Sequence, residues 1–156
     1  MAGLDDIDIR ILSELQRDGT LSVESLSERV HLSRNACWRR IKVLEERGVL
    51  KGRVALVEAE AVGCGLSVFV FVRTDNHDPH WLSRFRQAVT SLPEIVGVYR
   101  TSGDLDYVLK ARVSDVKAYD RLYQRLIAKV PLSDVSASFV MEEIKETTAV
   151  PLAPTV

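Results

Sequence analysis

Apolar residues recur along the chain with two different periods, and the change falls near residue 52. Ahead of it every pattern is helical. Ile7, Ile11 and Leu15 return at every fourth position with Leu12 beside them, which predicts a helix over residues 4–18. Asp5 is placed to cap it, Asp6 and Asp8 suit the positive end of its dipole, and Gly19 stands just past its end. A second helix starts behind Ser22 and runs to about residue 30, with Val23, Leu26 and Val30 inward. A third starts behind Ser33 and runs to residue 47, where Gly48 stops it. Only His31 and Leu32 separate these two capped helices, a link short enough for the tight corner of a helix-turn-helix. Any small three-helix bundle fits the same spacing.

Beyond residue 52 alternating strands appear between two helical stretches. Residues 53–57 alternate as a short strand, and 58–65 read as a linker in which the glycines on either side of Cys64 suggest a hinge. Strands are predicted over 66–73, 95–101, 106–113 and 135–144. A helix over 79–92 turns Leu82, Phe85, Val89 and Leu92 inward. Another, over 115–130, turns Val116, Tyr119, Leu122, Tyr123, Leu126 and Val130 inward. The order β-α-β-β-α-β is that of a ferredoxin-like split βαβ domain, an antiparallel sheet with helices on one face. The fold class is therefore α+β. The expected division is a helical domain at 1–53, a linker strand and hinge at 54–65, a sheet domain at 66–148, and a tail at 149–156.

The first strand of the sheet is apolar on both faces: Leu66, Val68, Val70 and Val72 on one, Phe69 and Phe71 on the other. A half-exposed strand alternates apolar with polar. No segment remains in the chain to cover the second face, so a second copy, sheet against sheet, is the expected partner.

The third helix brings in charge. At about 100° per residue, Cys37, Ile41 and Leu44 form the buried stripe. Asn35, Arg39 and Lys42 lie opposite, flanked by Arg34 and Trp38. From Arg29 to Lys42 there are five basic residues (Arg29, Arg34, Arg39, Arg40, Lys42) and no acidic one. A solvated face normally mixes signs. Arg can fork onto guanine and Asn onto adenine, with the remaining cations on phosphates, so this face suits a major groove. Ser33, Arg34, Asn35, Trp38, Arg39, Arg40, Lys42 and Lys51 are the candidate contacts to double-stranded DNA, although the spacing leaves Trp38 open between core and groove. The case is local, because 21 Lys+Arg against 22 Asp+Glu leave a net charge of −1.

The stretch Thr101-Ser102-Gly103-Asp104-Leu105-Asp106-Tyr107 places a glycine and two carboxylates in a tight link between strands. Turns use such residues anyway. The functional alternative is an amino-acid site, with backbone N–H groups around Gly103 on the carboxylate and Asp104 or Asp106 on the ammonium. Other chemistry falls away. His77 and His80 are separated by Pro79 with no thiol near, so no metal site is expected. There is no GxSxG, GxGxxG or GxxxxGK[ST] motif, so neither an enzyme nor a cofactor is expected. Cys37 belongs to the buried stripe, and two unrelated cysteines predict no disulfide framework. The longest apolar run, residues 66–72, is far below the roughly 20 needed to span a bilayer. Asp5, Asp6 and Asp8 are the wrong charge for a secretory leader, so a cytoplasmic location is expected, nucleoid-associated in so far as the third helix binds DNA.

The stretches LDDIDIRILSELQRDG, LSRNACWRRIKVLEERGVLKG, SGDLDYVLKARVSDVKAYDRL and FVMEEIKETTAVPL, in this order, resemble the Lrp/AsnC (leucine-responsive/asparagine regulator) family of transcription factors. The resemblance implies a winged helix-turn-helix followed by a ferredoxin-like effector domain. It also implies homodimers, often assembled as four dimers, that bind pseudo-palindromic DNA in response to a free amino acid. Carried over, the effector would meet Ser102, Gly103, Asp104, Leu105 and Asp106 of the turn and Ser138, Phe139 and Val140 of the last strand. Arg34, Asn35 and Ala36 stand where a common version of the family has prolines and a threonine, so the operator sequence does not carry over. The rival class is an amino-acid-binding module or metabolic enzyme without DNA binding, and the basic third helix argues against it.

Overall fold

The structure, a computed structural model, describes residues 3–76 and 78–152. The chain divides into two compact units, one made of residues up to 56 together with those from 145 on, the other of residues 57–144.

The first unit is three helices, α1 (Asp6–Arg17), α2 (Val23–Arg29) and α3 (Arg34–Glu46). Each starts at a side-chain cap that accepts a backbone N–H: Asp5 from Asp8, Ser22 from Ser25, Ser33 from Ala36. Asp5 and Asp8 cap reciprocally, a capping box with Asp in the place of the usual Glu. Ile11, Leu12, Leu15, Leu26, Val30, Cys37, Ile41 and Leu44 form the core. Burying each large side chain contributes about 1.5–3 kcal/mol against the entropy of folding. The predicted tail belongs here, for Val150 exchanges hydrogen bonds with the Gln16 amide and Leu152 packs on the core. Residues 153–156 of that tail lie outside the described residues.

The corner between α2 and α3 closes by two bonds: Leu32 N–H donates to Ser27 O at 2.9 Å and His31 N–H to Glu28 O at 3.2 Å. This is a Schellman stop, which needs a left-handed residue, and His31 takes that role at φ 57°. Gly48 does the same after α3, at φ 68°.

The second unit contains β1 (Leu66–Arg73), α4 (Pro79–Thr90), β2 (Ile95–Arg100), β3 (Tyr107–Val113), α5 (Val116–Lys129) and β4 (Asp134–Phe139). The sheet order is β2-β3-β1-β4, antiparallel throughout, the ferredoxin-like arrangement the pattern predicts. Val70 faces Leu109 on one side and Ala137 on the other. Val68, Val70, Val72, Leu109 and Ala111 pack beneath Trp81, Phe85, Val89, Leu122 and Leu126 from the two helices. Ser136, Ser138, Phe69, Phe71, Val108, Lys110 and Tyr99 share the opposite face by register, away from α4 and α5.

Four expectations are corrected. Residues 53–57 form no strand. With no sheet edge of their own to join, Val54, Leu56 and Val57 stand exposed, at 83%, 76% and 68%. β4 ends at Phe139, not residue 144, because β1 starts at Leu66, one residue past the last bond between them, Val140 N–H to Ser67 O, and offers residues 142–144 no partner. Val116 is exposed because it sits in the first turn of α5, ahead of the point where the helix meets the sheet. Trp81, absent from the predicted inner face of α4, is buried, and its indole N–H donates to Pro131 O at 2.8 Å.

Candidate DNA interface and ligand-binding turn

Ser33 fixes the first turn of α3, and the buried stripe Cys37, Ile41 and Leu44 fixes its rotation. The opposite side carries Arg34, Asn35, Trp38, Arg39 and Lys42, all exposed. Trp38, at 54% exposure, is no core residue, which settles its ambiguity toward the surface. Burial pushes the Cys37 thiol up, away from reactivity.

The basic residues of this region divide by what holds them. Arg29 donates to Glu14 at 3.0 Å, and Lys42 to Glu45 at 2.7 Å. Arg40 departs from the outward role proposed for it. Its Nη1 donates to Asp5 Oδ2 and Asp8 Oδ1, both at 2.8 Å, so it clasps the start of α1 to the middle of α3. The Asp8 N–H first, and the Arg40 guanidinium second, hold the Asp5 carboxyl below its ordinary range. Among the described residues, Arg34, Asn35, Arg39 and Lys51 make no side-chain hydrogen bond or ion pair within the chain. Arg34, Asn35, Trp38 and Arg39 thus form one exposed, uncommitted quartet at helical i, i+4 spacing. It offers a guanidinium fork, an amide and an aromatic plane to a groove.

The second candidate site is the β2–β3 turn. Gly103 sits at φ 110°, a conformation closed to other residues. Thr101 N–H donates to Asp106 O at 2.9 Å, and its hydroxyl to Leu105 O. The two carboxylates differ in duty. Asp106 Oδ2 accepts the Thr74 N–H at 2.8 Å, tying the turn to the end of β1. The Asp104 carboxylate is exposed and uncommitted, while its carbonyl accepts from Arg73 Nε at 2.9 Å. Thr74 and Arg73 went unnoticed in the sequence because only β1–β3 pairing brings them to the turn.

Ser138, Phe139 and Val140 are not brought to the turn within one chain. They pair with Phe69, Val68 and Ser67, whereas the turn joins β1 at Val72. Three to five residues separate them, about 10–16 Å at 3.3 Å per residue, on opposite flanks of β1. Asp78 caps α4 by accepting the Trp81 N–H at 2.8 Å, which accounts for it without a metal. His77 lies outside the described residues. Among the described residues no group of three His, Cys, Asp or Glu is placed to hold a metal ion. Nor is any helix long and apolar enough to cross a membrane.

A helix-turn-helix with an exposed cationic recognition face, joined in one chain to a ferredoxin-like domain, defines a ligand-responsive DNA-binding protein as the class. Comparison with known proteins makes the class specific. Residues 4–51 match the winged helix-turn-helix DNA-binding family, and residues 67–150 the Lrp/AsnC ligand binding domain. The DNA-binding transcriptional activator DecR of Escherichia coli is 47% identical over 150 residues, spanning 96% of this chain and 99% of that protein. Among solved structures, an AsnC family transcriptional regulator from Agrobacterium tumefaciens superposes with TM-score 0.92 at 48% identity, covering 95% and 97% of the two chains. A transcriptional regulator of Neisseria meningitidis in complex with L-Met does so with TM-score 0.90 at 36% identity, covering 95% and 96%. The chain belongs to the Lrp/AsnC family of transcriptional regulators.

Proposed function

We propose that this regulator reads operator DNA through the α3 quartet and is modulated by a free amino acid held at the β2–β3 turn. The observation that carries the first part is the sorting of cations: Arg29, Arg40 and Lys42 are engaged by carboxylates of the same chain, while Arg34 and Arg39 are left for another partner. Arg39 and Asn35 would read base edges, Arg34 and Trp38 would flank them, and Lys51 would hold phosphate. The protein acts by binding, not turnover.

A second copy would cover Phe69 and Phe71 and give two recognition helices. Each pair would then meet half-sites about 10 bp apart, or a multiple of that. Assembly beyond the dimer, up to four dimers, would also let Ser138–Val140 of one chain approach the turn of another, which one chain by itself does not allow. An effector acts on such an assembly only by binding one arrangement better than another. L-Met in the related Neisseria regulator supports an amino acid as the ligand class.

The test is selection of bound fragments from genomic DNA followed by anisotropy titration of the recovered sites, with and without a panel of amino acids. Arg39→Ala is expected to relax preference at one position of each half-site, at about 1–3 kcal/mol. Weakening that is uniform over all sequences would rule out base reading by Arg39.

A further inference from the structure

One feature of the sheet unit that neither candidate site uses is a cavity of about 450 Å³ between α4 and the edge strand β2. Its volume is that of a small-molecule site. The floor is apolar, built from Leu82, Phe85, Val89 and Ile95. Phe85 is held in place by stacking on Trp81, with ring centroids 5.1 Å apart, and by Tyr107 at 4.5 Å. Two guanidinium groups, Arg86 and Arg100, stand on its wall. Neither has a hydrogen bond or ion pair among the described residues. By contrast Arg73, Arg84, Arg112 and Arg125 of the same unit each bond to a carboxylate or carbonyl.

Among the described residues no Asp or Glu lines the cavity. A ligand that carried an ammonium group would meet two guanidinium groups there and no carboxylate to pair with. β2 adds backbone donors, since an edge strand leaves part of its N–H groups unpaired, and its register with β3 shifts between Ile95 and Gly97. The two unpaired guanidinium groups, with no carboxylate beside them, therefore favour a single carboxylate on an apolar body with no amine. We propose that the α4–β2 groove binds a small amine-free organic acid of the 2-oxo acid class, its carboxylate on Arg86 and Arg100 and its side chain on Phe85 and Val89. The site is separate from the turn, whose free Asp104 suits an ammonium. The two together would let one domain distinguish an amino acid from the acid left when its amine is removed by transamination or deamination.

The experiment is isothermal titration of the full-length protein with 4-methyl-2-oxopentanoate, leucine and the neutral 4-methylpentanamide. The 2-oxo acid is expected to bind, with the amide at least about tenfold weaker for want of the charged fork. Arg86→Met/Arg100→Met should weaken the 2-oxo acid by about tenfold or more. Arg86→Lys/Arg100→Lys should retain part of the affinity. Both residues are exposed, so unchanged thermal midpoints of these variants will separate loss of the site from loss of the fold. Asp104→Asn should leave 2-oxo acid binding intact. Absence of binding at millimolar 2-oxo acid, or unchanged affinity in the double Met variant, overturns the proposal. So does loss of 2-oxo acid binding on Asp104→Asn alone, which would place that ligand at the turn. Loss of leucine binding alone in Asp104→Asn supports two separate sites, whereas failure of the turn reading would leave leucine unaffected there.

Discussion

Adjacent arginines on one helix do unlike work here. Arg39 points to solvent uncommitted, while Arg40 closes on Asp5 and Asp8. Helical geometry puts them about 100° apart, enough to separate an outer face from a flank that meets α1. Arg40→Ala should therefore lower stability, by about 1 kcal/mol once the partial exposure of the pair is allowed for, and the thermal midpoint with it, whereas Arg39→Ala should leave both unchanged. Differential scanning calorimetry separates the two. The caps carry a pH dependence of definite sign. Asp5, Asp78 and Asp115 are each held below the ordinary carboxyl range, chiefly by the backbone N–H they cap. Stability from such groups is present above the unfolded value, about pH 4, and is lost as pH falls through the lower folded values. The midpoint should stay flat from neutrality to about pH 5 and fall below about pH 4. Asp5→Asn, which can still cap, should show a smaller acid loss. The two turn carboxylates separate in the same way. Asp104→Asn should abolish an amino-acid effect on DNA binding with the fold intact, whereas Asp106→Ala should lower stability because it orphans the Thr74 N–H.

Among the elements, the helix boundaries were the most legible, since Asp5, Ser22, Ser33 and Gly48 are residues whose local chemistry starts or stops a helix wherever they occur. His31 was not legible as a left-handed residue. Histidine enters that region more often than most residues but still seldom, so the residue type alone does not announce it; the two bonds that close the corner impose the conformation. A left-handed L-residue costs roughly 1–2 kcal/mol, of which glycine's extra unfolded-state entropy would cancel about half. His31→Gly is therefore expected to raise stability by about 0.5 kcal/mol in denaturant melts. The alternation over residues 53–57 was legible and yet misleading. Periodicity says that side chains can alternate between two faces, but a strand also needs a neighbour to take its N–H and C=O groups. Within one chain none is supplied. Trp81 failed differently: only the line of approach of α4 to the sheet, together with the carbonyl of Pro131, gives its indole an inward place.

For the whole molecule, net charge says little and its distribution says much. At −1 overall, attraction to DNA must be local, and with α3 as the proposed interface binding should be strongly salt dependent but narrowly localised. Lys51→Ala is expected to reduce the slope of log K against log salt by about one for each protomer bound, without altering sequence preference. The open sheet face makes a separate prediction. If the proposed sheet-to-sheet dimer forms, Phe69→Lys/Phe71→Lys should convert it to a folded monomer in sedimentation velocity, because those two rings alone interrupt the polar composition expected of a solvated face on β1. A dimer that survives this change would place the self-contact elsewhere, with the exposed Val54, Leu56 and Val57 as the next surface to substitute.

The linear order of residues by itself determined the three capped helices, the split βαβ sheet and the cationic character of α3, because period, caps and local charge need no distant partner to be read. Only the tertiary structure decided which cations remain free, which turn carboxylate is spent on holding β1, and that α4 and β2 leave a groove walled by two unpaired arginines. Each of these depends on which side chain of opposite charge or free carbonyl comes within about 3 Å, a proximity between residues up to tens of positions apart that periodicity does not encode.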